Sequence, residues 1–511
     1  MGVLVLGIDG LGSEGLKKLS EMGYLRSVDF IARRYFRATA KTCFPPQTVP
    51  AWISIFTGVN PGKHGLFSFF STSRGRVRIH TSLDVRFPYV FEILSMLRRS
   101  VVLFNVPLSY PFRLLYGVGV PDWLAGNGRI VVRHEKKNII YDIVKESRPI
   151  SPALKSVLGW QKFADILEHE LEIRRWVIEG LLELGYLENY FIVISDLDWL
   201  MHSFYHVIVK GNIPKYVEKV LRKISSLIDS IIKRACKRNM DIIIISDHGF
   251  KVYNKIVFVN TILKKLGLAR GFTIRRVASR RKSRGGLKTL KIRRKSSSEK
   301  VLEKMFWFFQ KVPIPHNIHR RIYRMVMRSN IRLFVDPDLS PVFSLLNIPA
   351  FFIGVNRRIR NKEAYVRYTV KMLSRIRDKH GRRLFSLVAT RENIYWGPYV
   401  RRAPHICIFG SIRARYLTSA ILMAVPIIHK TTNYHDFDSI FIAKSEGIVR
   451  GHVGGRSIYD VVPTIYALLD IPIQKGLDGQ NIVNKEVRYA DHTMRWKIAS
   501  RIFIKTLKKI S

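Results

Sequence analysis

Asp241-Ile-Ile-Ile-Ile-Ser246-Asp247-His248-Gly249 reads as a short, continuously apolar strand that stops on an acidic residue and a histidine. Four consecutive isoleucines leave no polar face, so the strand needs cover on both sides, as in a parallel sheet packed between helices. The pattern recurs twice. Val3-Leu-Val-Leu-Gly-Ile8 runs into Asp9, and Phe191-Ile-Val-Ile194-Ser195 runs into Asp196 and Asp198. In an open parallel sheet the carboxyl ends of the strands share one crevice, where such folds place their sites. A single strand-end aspartate is commonly a turn or cap residue. Three of them, two with a histidine close by, point to a site.

Outward from these strands, helical and strand patterns alternate. Phe91 to Leu97 predicts a helix and Val101 to Asn105 a strand; Trp160 to Leu184 predicts a long helix before the second apolar run, and Tyr216 to Arg238 another before the third. This alternation predicts an α/β fold, doubly wound around a largely parallel sheet. After Asp247 no acidic residue occurs until Glu299, and Arg270 to Lys295 is dense in Arg, Lys, Ser and Gly. Such a like-charge block repels itself and reads as a solvated loop. It is followed by two helical patterns, Val301 to Val312 and Ile318 to Val326. We therefore expect a basic insertion or cap over 265–345, with the α/β core formed by 1–264 and 346–487. Ala350 to Val355 reads as a strand, Glu363 to Lys379 as a basic helix, and 488–511 as a basic amphipathic C-terminal helix.

Composition constrains partners more than fold. The 511 residues carry a formal charge of +49, a field that attracts phosphates, whether in small substrates, nucleic acid or an anionic membrane surface. The same charge fits a uniformly basic, counterion-balanced surface. Phe306 to Phe309 sit beside basic residues in the insertion, a pattern compatible with membrane contact, base stacking or plain packing of the cap. Three scattered cysteines (Cys43, Cys236 and Cys407) form no disulfide framework. The opening residues read as a strand rather than a signal peptide, and no apolar run reaches bilayer length. A cytoplasmic enzyme is the expectation.

The chemistry-bearing residues fall into pieces that are individually weak. Asp198 and His202 stand four apart, so a helix starting after the strand puts both on one face, able to hold one cation. Asp247 and His248 are adjacent at a strand end, although a lone Asp-His pair is usually a surface turn. Carboxylate and imidazole together suit zinc, with manganese or iron as alternatives. In Phe44-Pro-Pro-Gln-Thr48-Val-Pro50-Ala-Trp52, Thr48 stands where a helix begins, with proline in its first turn. A hydroxyl there is a candidate nucleophile at the positive helix end, or simply an N-cap.

Taken in order, Ile8-Asp9-Gly10, Thr48-Val-Pro-Ala-Trp52, Thr57-Gly58, Pro61-Gly-Lys-His64-Gly65, Asp198 with His202, and Asp247-His248-Gly249 resemble the alkaline phosphatase superfamily. Within it they resemble the type I phosphodiesterase/nucleotide pyrophosphatase group. Val259-Asn260, Leu263, Gly267-Leu268, Ile394-Tyr-Trp-Gly-Pro-Tyr399 and Ala403-Pro404 resemble its prokaryotic phosphohydrolase/phosphomutase branch. The resemblance implies an alkaline phosphatase-like core and two divalent ions, zinc first. Asp9, Thr48, Asp247 and His248 would form the shell of one ion, and Asp198, His202 and a late histidine that of the other. The late histidine is placed at His435, before the apolar run that ends at Ile442. Aspartate and serine stand at 438 and 439, where family members usually carry a glycine, and this keeps His452, among Gly451, Gly454 and Gly455, as the rival. The implied reaction is hydrolysis of a phosphate ester, most simply a diester, through a phosphothreonine on Thr48. A phosphomutase or phosphomonoesterase of the same superfamily is the alternative, and a catalytically silent nucleic-acid- or membrane-binding protein is the alternative from another class. No asparagine stands near Phe69, where nucleotide pyrophosphatases of this group carry one, so nucleotide specificity does not follow.

Overall fold

The computed structural model describes residues 2–73, 76–271, 273–276, 331–344, 350–423 and 425–510. The chain folds as two compact units. The first comprises Met1–Phe69, Ile79–Lys251 and His435–Ser511; the second comprises Phe70–Arg78 and Val252–Tyr434. The second unit thus contains the 265–345 segment read as an insertion together with flanking α/β-type sequence on both sides. The helical patterns at Val301 to Val312 and Ile318 to Val326, and 277–295 of the basic block, lie outside the described residues.

The first unit is built on a nine-stranded sheet. Its strands are β1 (Val3–Ile8), β2 (Phe36–Lys41), β3 (Val101–Phe104), β4 (Gly117–Val120), β5 (Val131–Arg133), β6 (Asn189–Ile194), β7 (Asp241–Ile245), β8 (Asp438–Lys444) and β9 (Gly451–Ser457). Their order across the sheet is β9-β2-β8-β7-β1-β6-β3-β4-β5. β7, β1, β6, β3 and β4 run parallel, while β8 and β5 are antiparallel to their neighbours. Both faces are covered, which is why the central strands are apolar without alternation. Val3, Val5, Phe191, Val193, Ile243 and Ile245 enter one core with helices α1 (Thr48–Thr57) and α6 (Val461–Leu468). The alternate residues Leu4, Leu6, Ile192, Ile194, Ile242 and Ile244 are equally buried on the opposite face, as the two-residue strand period requires. Helix α2 (Val90–Met96) packs into the first core; α3 (Trp160–Glu183), α4 (Asp196–Ile208) and α5 (Lys215–Lys237) follow the strand–helix alternation expected of the sequence.

The second unit has its own apolar core around Val257, Leu263, Ile353, Leu373 and Ile406. Within it Phe352–Val355 and Phe385–Thr390 both pair antiparallel with Ile406–Gly410, and helix Lys362–Arg375 lies where the basic helix was expected. Asn260 is completely buried and its amide donates to the carbonyls of Ser344 (2.8 Å) and Ala420 (2.5 Å), so this asparagine is a structural tie within the unit.

Candidate active site

The parallel register sets the site. Ile8 pairs with Ile194 and Gly7 with Ile245, so β1, β6 and β7 end level with one another. The residues that follow each strand therefore emerge side by side: Asp9 after β1, Asp196 and Asp198 after β6, and Asp247 with His248 after β7. Gly10 adopts φ +80°, and its N–H donates to Asp247 Oδ1 at 3.1 Å, binding the first strand end to the third. A side chain there would meet the Phe250 ring at 2.8 Å, so the turn accepts only glycine without rearrangement. Gly12 and Gly249 touch backbone to backbone behind it; a Cβ on Gly249 would lie 2.8 Å from the α-carbon of Gly12.

Asp198 and His202 share one face of α4, as their spacing predicts, with His202 Nε2 3.5 Å from Asp198 Oδ1. His435, the penultimate residue of strand Ile427–Asp436, joins them: its Nε2 is 3.4 Å from Asp198 Oδ1 and 3.0 Å from His202 Nε2. Its Nδ1 lies 2.8 Å from the carbonyl of Pro46. A carbonyl only accepts, so Nδ1 carries the proton and the Nε2 lone pair faces Asp198 and His202. Its ring also stacks on His248, with centroids 3.5 Å apart. Asp9, Asp247 and His248 form an adjoining group, with His248 Nε2 3.1 Å from Asp247 Oδ2 and 3.8 Å from Asp9 Oδ1. Within each of the sets Asp198/His248/His435 and Asp9/Asp247/His248, the donor atoms lie within 4.8 Å of one another, a spacing that could hold a metal ion.

Electrostatics favour a cation here. Asp9 Oδ1, Asp198 Oδ1, Asp247 Oδ2 and both ring nitrogens of His248 are buried without a hydrogen-bond partner among the described residues. Unpartnered buried carboxylates and imidazoles are costly, and a bound ion is the usual resolution. Burial, reinforced by Asp247 and Asp198, pushes Asp9 well above the usual carboxylate range. Burial and the Asp198 charge raise Asp247 to about 7. Burial drives His248 well below the usual imidazole range and His202 down to about 4. Asp198 moves the other way: burial raises it, but the neighbouring His202, His435 and His248 outweigh that and hold it low. Concentrated carboxylates beside buried imidazoles form a donor set matched to zinc or a similar divalent ion.

Thr48 is buried and is the first residue of α1. The N-cap is Gln47, with no side-chain capping bond, so Thr48 does not act as the helix cap. On one side of it in the chain, Pro46 accepts from His435. On the other, Trp52 Nε1 donates to Asp9 Oδ2 at 3.3 Å from one helical turn away. The segment bearing Thr48 is thus tied to both groups of side chains. His452, the rival late histidine, lies on β9 opposite Arg37 and is exposed, away from this cluster.

Several supporting residues were not legible as such. Trp52 stands in the Thr48-Val-Pro-Ala-Trp52 stretch without a role of its own in the sequence, and its N–H bond to Asp9 depends on the packing of α1 against the strand ends. Ser246 accepts from the Leu11 N–H (2.9 Å) and donates to the His248 carbonyl (2.8 Å), shaping the turn that presents Asp247 and His248. Arg174 of α3 reaches Asp196 at 2.6 Å and anchors the start of the helix that carries Asp198 and His202. For Trp52 and Ser246 the signal was proximity in sequence to a candidate residue, which does not separate them from ordinary core groups; Arg174 lies 22 residues before Asp196 and carried no such signal.

Comparison with solved structures supports this architecture. Phosphonoacetate hydrolase from Sinorhizobium meliloti 1021 is similar over 92% of this chain and 95% of its own, at 13% identity and TM-score 0.51. Human ectonucleotide pyrophosphatase / phosphodiesterase 5 is similar over 95% of this chain and 100% of its own, also at 13% identity and TM-score 0.51. The alkaline phosphatase PafA, in a mutant form, is similar over 94% and 98%, at 12% identity and TM-score 0.50. At these identities the likeness is one of fold, which is alkaline phosphatase-like. No curated protein matches the sequence. Residues 3–325, more than half of the chain and spanning every candidate site residue except the two late histidines, His435 and His452, match the family model for type I phosphodiesterase / nucleotide pyrophosphatase. The chain therefore belongs to the type I phosphodiesterase / nucleotide pyrophosphatase family of phosphoric ester hydrolases.

Proposed function

We propose that the protein is a metal-dependent phosphodiesterase that works through a phosphothreonine on Thr48. The observation that carries this reading is the buried cluster of unpartnered carboxylate oxygens and imidazole nitrogens at three level strand ends, tied on both flanks to the segment that bears Thr48. Asp9, Asp247 and His248, with Thr48, would hold one divalent ion; Asp198, His202 and His435 would hold a second, zinc being the first expectation. When bound, such a pair lowers the pKa of a hydroxyl and neutralises charge on phosphoryl oxygens. The protein's own part is positional. Trp52 orients Asp9, and Pro46 fixes the His435 tautomer so that its lone pair faces inward. Thr48 Oγ1 bonds to phosphorus as the bond to the ester oxygen opposite it breaks; the hydroxyl proton passes to solvent, and the departing oxygen takes one up from solvent to leave as the alcohol. A water then cleaves the phosphothreonine, releasing the phosphate product and regenerating the hydroxyl.

Metal removal tests the reading. Chelator-stripped protein should lose hydrolysis of bis-p-nitrophenyl phosphate, recover it on addition of zinc or manganese, and take up two ions per chain by elemental analysis. Full activity in the stripped, metal-free protein would overturn it. The late ligand is tested separately by calorimetric metal titration. His435→Ala should weaken one site by at least about tenfold, whereas His452→Ala should match wild type. The reverse pattern would transfer the role to His452.

A further inference from the structure

The C-terminal helix, Thr493–Ile510, is held to the body by a buried latch. Trp496 Nε1 donates to Glu92 Oε2 at 2.6 Å, and Arg113 Nε donates to the other oxygen of Glu92 at 2.6 Å. The Arg113 guanidinium also lies over the Trp496 ring, 5.2 Å from its centroid. All three residues are buried. This latch fixes the rotation of the helix. With Trp496 turned inward, positions 494, 497, 498 and 501 share the outer face at i, i+3 and i+4 spacing.

That outer face pairs apolar and basic side chains. Met494 is 73% exposed and Ile498 53%, with Tyr489 just before the helix at 61%. Among them stand Arg488, Arg495, Lys497 and Arg501, all exposed. No acidic residue occurs within the helix, and Asp491, which precedes it, accepts hydrogen bonds from Thr493 N and Gln474 Nε2. No helix among the described residues is long and apolar enough to cross a membrane.

We propose that this face is a docking surface for an anionic membrane, with Tyr489, Met494 and Ile498 entering the headgroup boundary and the surrounding Arg and Lys residues facing acidic lipid headgroups. Charge complementarity argues for an anionic partner. The exposed aliphatic pair within the basic ring argues for a lipid surface over nucleic acid, which offers bases and phosphates but no hydrocarbon layer. A latched helix lying in the interface plane would place the catalytic body at the membrane surface.

The test is vesicle co-sedimentation of the full chain at moderate salt, with phosphatidylcholine vesicles and with vesicles containing about one-third phosphatidylglycerol. Wild type should sediment with the anionic vesicles and remain in solution with the neutral ones. Lys497→Glu/Arg501→Glu and Met494→Ser/Ile498→Ser should each lower the bound fraction at least about fivefold, because the two terms act together. Both double variants should keep the thermal unfolding midpoint and esterase activity of wild type, since neither touches the latch or the strand-end cluster. Failure of wild type to bind, equal binding to neutral vesicles, or full binding by both variants overturns the proposal. Retention on duplex DNA that the same variants abolish, without vesicle binding, assigns the face to nucleic acid instead and equally overturns it.

Discussion

Thr48→Ala should lower hydrolysis of bis-p-nitrophenyl phosphate by at least about a thousandfold while the protein folds normally and still binds metal. The structure separates this result from simple unfolding. Thr48 makes no capping bond, Gln47 is the N-cap, and alanine is the best helix former, so truncation leaves α1 in place. The tethers that seat this segment, from Pro46 to His435 and from Trp52 to Asp9, do not involve the Thr48 side chain. Thr48→Ser keeps the hydroxyl and should retain measurable turnover. Acid-quenched wild type should carry a phosphoryl group on Thr48 that the alanine variant lacks. A Thr48→Ala protein with more than about a tenth of wild-type activity would place the nucleophile elsewhere, a metal-activated water being the simplest replacement.

The second large effect runs in opposite directions for activity and stability. Asp247→Asn should cut phosphodiesterase activity by at least about a hundredfold yet raise the unfolding midpoint of the metal-free protein by a few degrees. Asp247 is completely buried beside Asp198 and Asp9, and its folded pKa is raised to about 7 from an unfolded value near 3.8. A carboxyl whose folded pKa lies above its unfolded one binds its proton more tightly in the native state. Its contribution to stability therefore declines as pH rises from about 4, and the full penalty of burying the charge is present above about 7. Asparagine removes that penalty, so the stabilisation of the metal-free variant should appear at pH 8 and vanish near pH 4. With metal bound the order should invert, because the ion offsets the clustered carboxylates and wild type holds it more tightly. A variant less stable than wild type at pH 8 in the metal-free state would mean that Asp247 serves mainly as a hydrogen-bond acceptor for the Gly10 N–H.

The alternation of apolar runs and amphipathic helices in the sequence was enough to determine the α/β class, the strands β1, β6 and β7, and the acidic residue that ends each of them. These follow from short-range physics, since four to six apolar residues in a row demand cover on both faces and helical spacing puts Asp198 and His202 on one side of α4. The helix expected over 488–511 begins in the structure at Thr493, after the short strand Tyr489–Ala490. The tertiary structure alone decided which late histidine reaches the cluster. His435 lies near the end of strand Ile427–Asp436 beside Asp198, and His452 lies on β9 opposite Arg37, placements that depend on contacts over hundreds of residues of separation. It also decided that Thr48 is no cap, that Trp52 and Pro46 tie its segment to the acidic cluster, and that Trp496 locks the last helix onto Glu92. Each of these joins groups far apart in the chain whose local patterns are those of ordinary core or turn residues. Sequence periodicity reports which face of an element is buried; which distant group it meets there depends on sheet order and register.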